Sequence, residues 1–574
     1  MFRQNKSHLQ SALISDIDAL PPKQKERLEG SWAGTFYREV FVRLDEKPFA
    51  VLYSDEASRP NIPINVLVGL ESLKAGFGWS DEEMYENFCF NLQVRYALGY
   101  RQLSDGHFEL RTMYNFRQRL STHRQAHGVD LLAQAFAQVT AEQLAAFSLQ
   151  TTKLRMDSTQ IASNIRQYSR LQLLVEVLQR VQRDLSETDQ QQYEADFAPY
   201  LKGSSGQYTY RVKPEAYAGH LEQVGQLMRR LVTELASTYA AQPGYQMLVR
   251  VFNEHFLIEE KEEGDNDDDG FRPRQGAELS AASLQSPDDP EASYRQKRGE
   301  EFTGYVANVT ETCHPENPFQ LIVAVQTAPN TTDDAAMLAE ILPDLKKQTG
   351  VEEMNTDGGY NSAEVDQLMR QYQVEQVQTA IRGRQANPDK LNLADFVWEL
   401  DPDGQPLALT APTGQRIEIE PGRQSQRYIA RFGTPTTPPA PAAATKPAPP
   451  PVLYFSQPQL ELALRRQRSA QAQAEQSHLR VAIESTIGAL KRPFSNDQLP
   501  VRGAIRVKMM MLGSALMVNL RRIHRYQMDQ NHQKKVEKGQ ETSPDLSLSL
   551  FFGRQIRTFV YRLAFVLRIN PLRC

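Results

Sequence analysis

The sequence predicts an α/β fold, in which a mixed sheet with helices is interrupted by a helical insertion and a small β-rich insertion and follows an all-α N-terminal region. Three observations support this fold class. Residues 1–147 carry helix signals, strand and helix patterns alternate from residue 148 onward, and two long stretches break that alternation. A chain of 574 residues has room for about three or four modules.

The N-terminal region, residues 1–147, is predicted to be helical throughout. Ser80 and Glu83 have the spacing of a capping box and open a helix that runs through Leu92. Residues 110–120 predict another short helix.

The core sheet is predicted to begin with a strand at residues 149–159. Apolar Leu154 and Met156 alternate there with charged residues, which puts Asp157 on the face opposite the apolar one. A helical insertion over residues 166–294 follows, because apolar residues recur at helical spacing in 171–185 and 221–235. It contains an acidic loop at 259–269, where eight of eleven residues are acidic.

The remaining segments complete the sheet and add a second insertion. Residues 148–165, 295–385 and 456–530 are assigned to the core, with strands at 305–310, 321–325, 354–357 and 374–381 and a helix near 335–345. The β-rich insertion covers residues 386–433 and includes a turn at Pro402, Asp403 and Gly404. A proline-rich linker at 434–455 and a basic tail at 531–574 finish the assignment.

Charge and cysteine content narrow the function classes. The net charge of −5 argues weakly against a nucleic-acid partner, but residues 465–574 hold 20 Lys and Arg against 7 Asp and Glu. The three cysteines are too widely spaced for a disulfide framework or a cysteine-based zinc site, which favours a reducing cytoplasm. We expect no signal peptide and no membrane anchor, since the longest apolar run falls short of about 20 residues.

Three carboxylates are candidates for a metal-dependent site. Asp157 ends a predicted strand, Asp357 stands between a strand and two glycines, and Glu484 lies on a helix with an apolar stripe. Carboxylate oxygens suit Mg²⁺, and such a triplet can hold two divalent ions for phosphoryl transfer. Considered separately, each aspartate is more often a cap or turn residue.

Two cations flank the glutamate. Arg480 and Lys491 fall within about 40° and 20° of Glu484 at 100° per residue, so the three share one helix face. A metal-binding carboxylate between two phosphate-binding cations is the arrangement that phosphoryl transfer on DNA requires.

These motifs together resemble DDE transposases of bacterial insertion sequences, in the branch whose third motif reads Tyr, Arg, Glu and Lys. Arg480, Glu484 and Lys491 match that spacing, whereas Ser477 stands at the Tyr position. The resemblance also rests on Asp157-Ser158-Thr159, on Asp357-Gly358-Gly359-Tyr360, on residues 63–120 ending in Thr112-Met113-Tyr114-Asn115-Phe116-Arg117-Gln118-Arg119-Leu120, and on residues 506–522.

The resemblance implies an RNase H-like core, two Mg²⁺ or Mn²⁺ ions held by the three carboxylates, and cleavage and strand transfer of double-stranded DNA. The partners it implies are the inverted repeats at the transposon ends and target DNA, with a homodimer in the synaptic complex and a place at the bacterial nucleoid. It assigns DNA binding to the helical N-terminal region, residues 1–147, and DNA contacts to Arg480, Lys491, Arg492, Arg521 and Arg522.

Three alternatives stay open. The chain could be a domesticated transposase that binds DNA without cutting it, a metal-dependent nuclease without strand transfer, or an unrelated α/β protein whose acids are caps and surface pairs. Trp398 in the β-rich insertion is a candidate for stacking on a flipped base, although a core role in a small sheet is the commoner one.

Overall fold

The structure is a computed structural model. The residues it describes are 1–9, 15–54, 56, 60–258, 271–297, 299–378, 387, 390–401, 404–422, 427–432 and 452–537, without the side chains of 472–481, 496 and 537. By its internal contacts the chain divides into two units, 1–520 and 521–574. The acidic loop 259–269, the turn at Pro402 and Asp403 and the stretch 434–451 of the linker lie outside the described residues.

The N-terminal region is helical, as predicted. Ser80 and Glu83 form the expected capping box, in which the Ser80 hydroxyl accepts from the Glu83 amide at 3.1 Å. The helices are α1 (Pro22–Glu29), α2 (Trp32–Phe36), α3 (Ile64–Phe77), α4 (Asp81–Phe90), α5 (Leu92–Ala97), α6 (Arg111–His127) and α7 (Leu131–Ala146), with a π-helix at Tyr37–Phe41.

The first strand of the core, β1 (Lys153–Ala162), leads into the helical insertion. Its helices bury their own apolar core, because Leu174, Met228 and Leu248 are fully buried against one another's helices. They are α8 (Arg170–Asp184), α9 (Glu187–Gln192), α10 (Glu194–Phe197), α11 (Ser205–Tyr210), α12 (Tyr217–Glu234), α13 (Ala236–Tyr239) and α14 (Pro243–His255), followed by the hairpin strands β2 (Phe256–Ile258) and β3 (Phe271–Pro273).

A six-stranded mixed sheet forms the centre of the fold. Its later elements are β4 (Ser293–Lys297), β5 (Glu300–Thr312), β6 (Ile322–Pro329), α15 (Asp334–Thr349), β7 (Glu353–Thr356), α16 (Ala363–Gln371) and β8 (Glu375–Gln378). β1 lies between β5, which is antiparallel to it, and β7, which is parallel; β8 continues the parallel side, and β4 and β6 pair with β5. The α/β class with a mixed sheet is therefore confirmed.

The second insertion is a five-stranded antiparallel sheet whose last strand, at 452–456, lies beyond the predicted insertion and occupies the end of the predicted linker, because it pairs with the strand before the linker. Its strands are β9 (Val397–Leu400), β10 (Pro406–Thr410), β11 (Arg416–Pro421), β12 (Arg427–Arg431) and β13 (Val452–Ser456), in the order β13-β12-β11-β10-β9. Trp398 is half-buried here; its indole nitrogen donates to the Leu393 carbonyl at 3.0 Å and its ring meets Phe455 edge-on.

Two long helices complete the described chain. The first, α17 (Gln457–Lys491), follows β13 directly and returns to the core sheet. The second, α18 (Ala504–Glu537), crosses from the first unit into the second, of which residues 521–537 are described. No described helix is long and apolar enough to span a membrane.

Candidate active site

Asp157 and Asp357 are brought level with each other by the parallel pairing of β1 and β7. Lys153 pairs with Glu353 and Leu154 with Met354, so partners differ by 200 in number. Continuing that register sets Asp357, the residue directly after β7, beside Asp157. Residues 200 positions apart thus lie side by side where β7 ends, but Asp157 is within β1, which continues to Ala162, and not at the end of its strand as predicted.

Both aspartates are held by local backbone hydrogen bonds. One Asp157 carboxylate oxygen accepts from the Ser158 amide at 2.8 Å, and one Asp357 oxygen accepts from the Gly359 amide at 2.7 Å. Each side chain is half-buried, so each retains access to solvent.

Helix α17 lies across the β1 face that carries Asp157. Side chains of alternate residues share a face, so Arg155 and Thr159 point to the same side as Asp157. Thr486 of α17 hydrogen-bonds the carboxylate of Glu311, the partner of Arg155, at 2.8 and 3.0 Å. Farther along α17, the Lys491 ammonium lies 3.4 Å from the Thr159 hydroxyl. Contacts on both sides of Asp157 therefore place this helix along β1.

The charges of Asp357 and Glu484 act on the carboxyl group of Asp157. Burial, opposed by the hydrogen bond from the Ser158 amide and reinforced by the negative charges of Asp357, Asp334 and Glu484, raises the pKa of Asp157 from 3.8 to about 6. Glu484 itself is solvent-exposed on α17. Asp357 and Glu484 are thus close enough to Asp157 for their charges to shift its pKa.

Asp334, which sequence reasoning missed, adds a fourth negative charge. It is the first residue of α15 and is 5% exposed. Its charge raises the pKa of Asp157 and also that of the buried Tyr360 hydroxyl. An acid at a helix start is ordinarily stabilised by the helix dipole, so the sequence offers no separate signal for it.

A buried polar network lies beneath the two aspartates. The Tyr360 hydroxyl donates to the Asn308 side-chain oxygen at 2.7 Å, and the Asn308 amide donates to Gln326 at 2.9 Å. Asn308 stands opposite Ser158 in the β1–β5 register. The network ties the Asp-Gly-Gly-Tyr segment to the two central strands next to Asp157.

The donor set fits a hard divalent cation in charge and atom type. All the acidic donors are carboxylate oxygens, which Mg²⁺ and Mn²⁺ prefer, and their mutual repulsion at Asp157 is what a bound cation relieves. Among the side chains that the structure describes, no three His, Cys, Asp or Glu form a preassembled ligand set.

The predicted DNA-binding cations occupy different settings. Lys491 is partly buried and pairs with Asp497 at 2.7 Å, whereas Arg492 beside it is exposed. The side chain of Arg480 lies outside the described residues. Arg521 and Arg522 belong to the second unit, on the last part of α18. Their roles stay predictions, as does base stacking by Trp398, whose ring packs within the small sheet.

Residues 25–119 match a family model described as Transposase domain (DUF772). The match extends from within α1 to within α6 and includes none of the three carboxylates. It supports the assignment of the chain to the transposases, a class of DNA-processing enzymes. No curated protein and no solved structure matches the chain significantly.

We expect Asp157→Asn to stabilise the metal-free protein. A carboxyl whose pKa rises from its ordinary 3.8 to about 6 destabilises the fold above pH 6, and that penalty fades as the pH falls toward 3.8. At pH 7 the variant should gain up to about 3 kcal/mol in unfolding free energy. Urea unfolding in EDTA at pH 7 and pH 5 measures it.

The matched control is Asp344→Asn, an exposed carboxylate on α15. Its unfolding free energy should equal that of the wild type at both pH values. Equal stability of Asp157→Asn and wild type at pH 7 would show that the ionised Asp157 carboxylate does not destabilise the fold.

Proposed function

We propose that the chain is a DDE transposase of a bacterial insertion sequence, which binds terminal inverted repeats and catalyses metal-dependent cleavage and strand transfer of DNA. The observation that carries the proposal is the β1–β7 register, which when continued by two residues sets Asp357 beside Asp157, whose pKa the charges of Asp357 and Glu484 help to raise. The transposase-domain match in the N-terminal helices supports it independently.

The mixed sheet supports the RNase H-like core that the resemblance implies. Asp157 would come from β1, Asp357 from the residue directly after β7, and Glu484 from α17. On this proposal the three elements together provide the acidic oxygens that phosphoryl transfer needs.

Asp157, Asp357 and Glu484 would hold two Mg²⁺ or Mn²⁺ ions. Bound there, the metal would supply activation of a water or 3′-hydroxyl and stabilisation of the leaving oxygen. The chain's own residues would do the rest: the backbone amides of Ser158 and Gly359 orient the two aspartates, and Lys491 on α17 offers a cation to a nearby phosphate.

The proposal is tested with the full chain and two plasmids. One plasmid carries the coding region of the chain together with the DNA that flanks it, and the other carries neither. With Mg²⁺ or Mn²⁺ we expect breaks at the two ends of the element and joined products with a target plasmid, and with EDTA neither. Tight binding of the ends without breaks would identify an idle, domesticated transposase. Breaks without joined products would identify a nuclease.

We further propose that the ends are held by a homodimer in the bacterial cytoplasm, at the nucleoid.

A further inference from the structure

Helix α6 presents a stripe of exposed polar side chains. Arg111, Asn115, Gln118 and Thr122 are spaced by four, three and four residues, so they lie within about 60° of one another around the helix. All four are exposed. The stripe is about 17 Å long at 1.5 Å per residue, which corresponds to about five base pairs of duplex DNA.

The opposite face of α6 is anchored in the N-terminal core. Met113, Phe116 and Leu120 are buried there. The Arg117 guanidinium donates to Glu71 at 2.6 Å and to Asp81 at 2.6 and 2.8 Å, which fixes α6 to α3 and to the start of α4. The exposed stripe is therefore carried on a helix whose position and rotation are set by the fold.

The stripe matches the chemistry of base edges in the major groove. Arginine pairs with guanine, asparagine and glutamine pair with adenine, and the threonine methyl contacts the thymine methyl. The stripe also begins at the first residue of α6, and recognition helices contact bases through their N-terminal residues.

The charge of α6 is complementary to DNA. Its seventeen residues include four arginines and two histidines and no aspartate or glutamate. Arg119 is exposed beside the stripe, whereas Arg117 is already paired with Glu71 and Asp81. A base-reading stripe flanked by cations is suited to the major groove and its phosphates.

We propose that this face of α6 enters the major groove of the transposon end and selects its sequence. The proposal rests on the proposed function and names the surface that recognises the DNA. Asn115 and Gln118 at the centre of the stripe determine specificity, and Arg119 contributes phosphate contact.

The test selects bound DNA from a pool of duplexes with a randomised central segment, using the full chain. Asn115→Ala and Gln118→Ala should each lose preference at one or two adjacent base positions. Affinity for the sequence that the wild type selects should fall roughly tenfold, while affinity for a scrambled duplex changes little. The matched control, Gln134→Ala, removes an exposed amide from α7 and should select the wild-type sequence.

Thermal unfolding checks that the variants fold, since both side chains are exposed. An unchanged selected sequence in both variants would overturn the proposal, as would an equal loss of affinity for every duplex. Altered self-association with unchanged DNA selection would identify the face as a contact between copies, and would also overturn it. Metal-dependent breaks at the element ends, measured in parallel, report on the proposed function separately.

Discussion

Replacing any one of Asp157, Asp357 and Glu484 with its amide should abolish Mg²⁺-dependent nicking of a transposon-end duplex. Each amide removes one negative charge from a site where the carboxylates already act on one another. Residues that act as one unit lose activity non-additively, so each single variant should fall by on the order of a thousandfold or more, and double variants little further.

DNA binding should persist in all three variants. Removing acidic charge near phosphates does not weaken electrostatic affinity for DNA. A gel-shift assay on the same labelled duplex, beside the nicking assay, separates the two effects. The matched control is Glu364→Gln, an exposed carboxylate in the first turn of α16, which should nick like the wild type.

Retained nicking in one variant would show that the replaced residue is not a metal ligand. The fourth acid near the site, Asp334, would then be the first replacement to examine, ahead of Glu353, which is engaged by Lys153 at 2.6 Å. Asp334→Asn in the wild-type background shows whether its charge contributes to metal use.

The strand that carries Asp157 could be predicted because local sequence determines it. Leu154 and Met156 alternate with charged residues, and both prove to be fully buried while Asp157 retains solvent access. The helix opened by Ser80 and Glu83 could be predicted for the same reason, since a capping box involves four consecutive residues.

Contacts between distant segments could not be predicted in this way. Asp157 and Asp357 are joined by the β1–β7 register, and the sequence shows no mark of that register beyond the two motifs. Asp334 looks like an ordinary helix-start acid, and its burial near Asp157 depends on how α15 packs against the sheet. The resemblance supplied the pairing of the aspartates but gave no indication of Asp334.

The sequence patterns also do not predict the full length of α17. The apolar stripe predicts a helix around Glu484. The observed helix begins much earlier, at Gln457, directly after the last strand of the β-rich insertion. The first half of α17 contacts that insertion, where Gln467 donates to the carbonyls of Ala394 and Phe396. Such packing follows from tertiary structure rather than from helical periodicity.

Breaking the buried ion pair between Arg155 and Glu311 should destabilise the protein by about 3–5 kcal/mol, because it leaves an uncompensated charge in the core. The Arg155 Nε lies 2.7 Å from a Glu311 oxygen, and the two side chains are 8% and 0% exposed. Arg155→Met and Glu311→Gln are the single variants, measured by urea unfolding. The double variant Arg155→Met with Glu311→Leu should recover much of the loss, since an apolar pair leaves no charge unpaired.

The same pair should also affect the candidate site through Thr486, which lies two residues after Glu484 on α17. The Thr486 hydroxyl donates to Glu311. Thr486→Val removes that donor at nearly constant volume, whereas Thr486→Ser keeps it. We expect the Val variant to need a higher Mg²⁺ concentration for half-maximal nicking and the Ser variant to behave like the wild type. If both require the same Mg²⁺ as the wild type, the pair stabilises the sheet without positioning Glu484. If Arg155→Met is as stable as the wild type, the buried pair contributes no net stability.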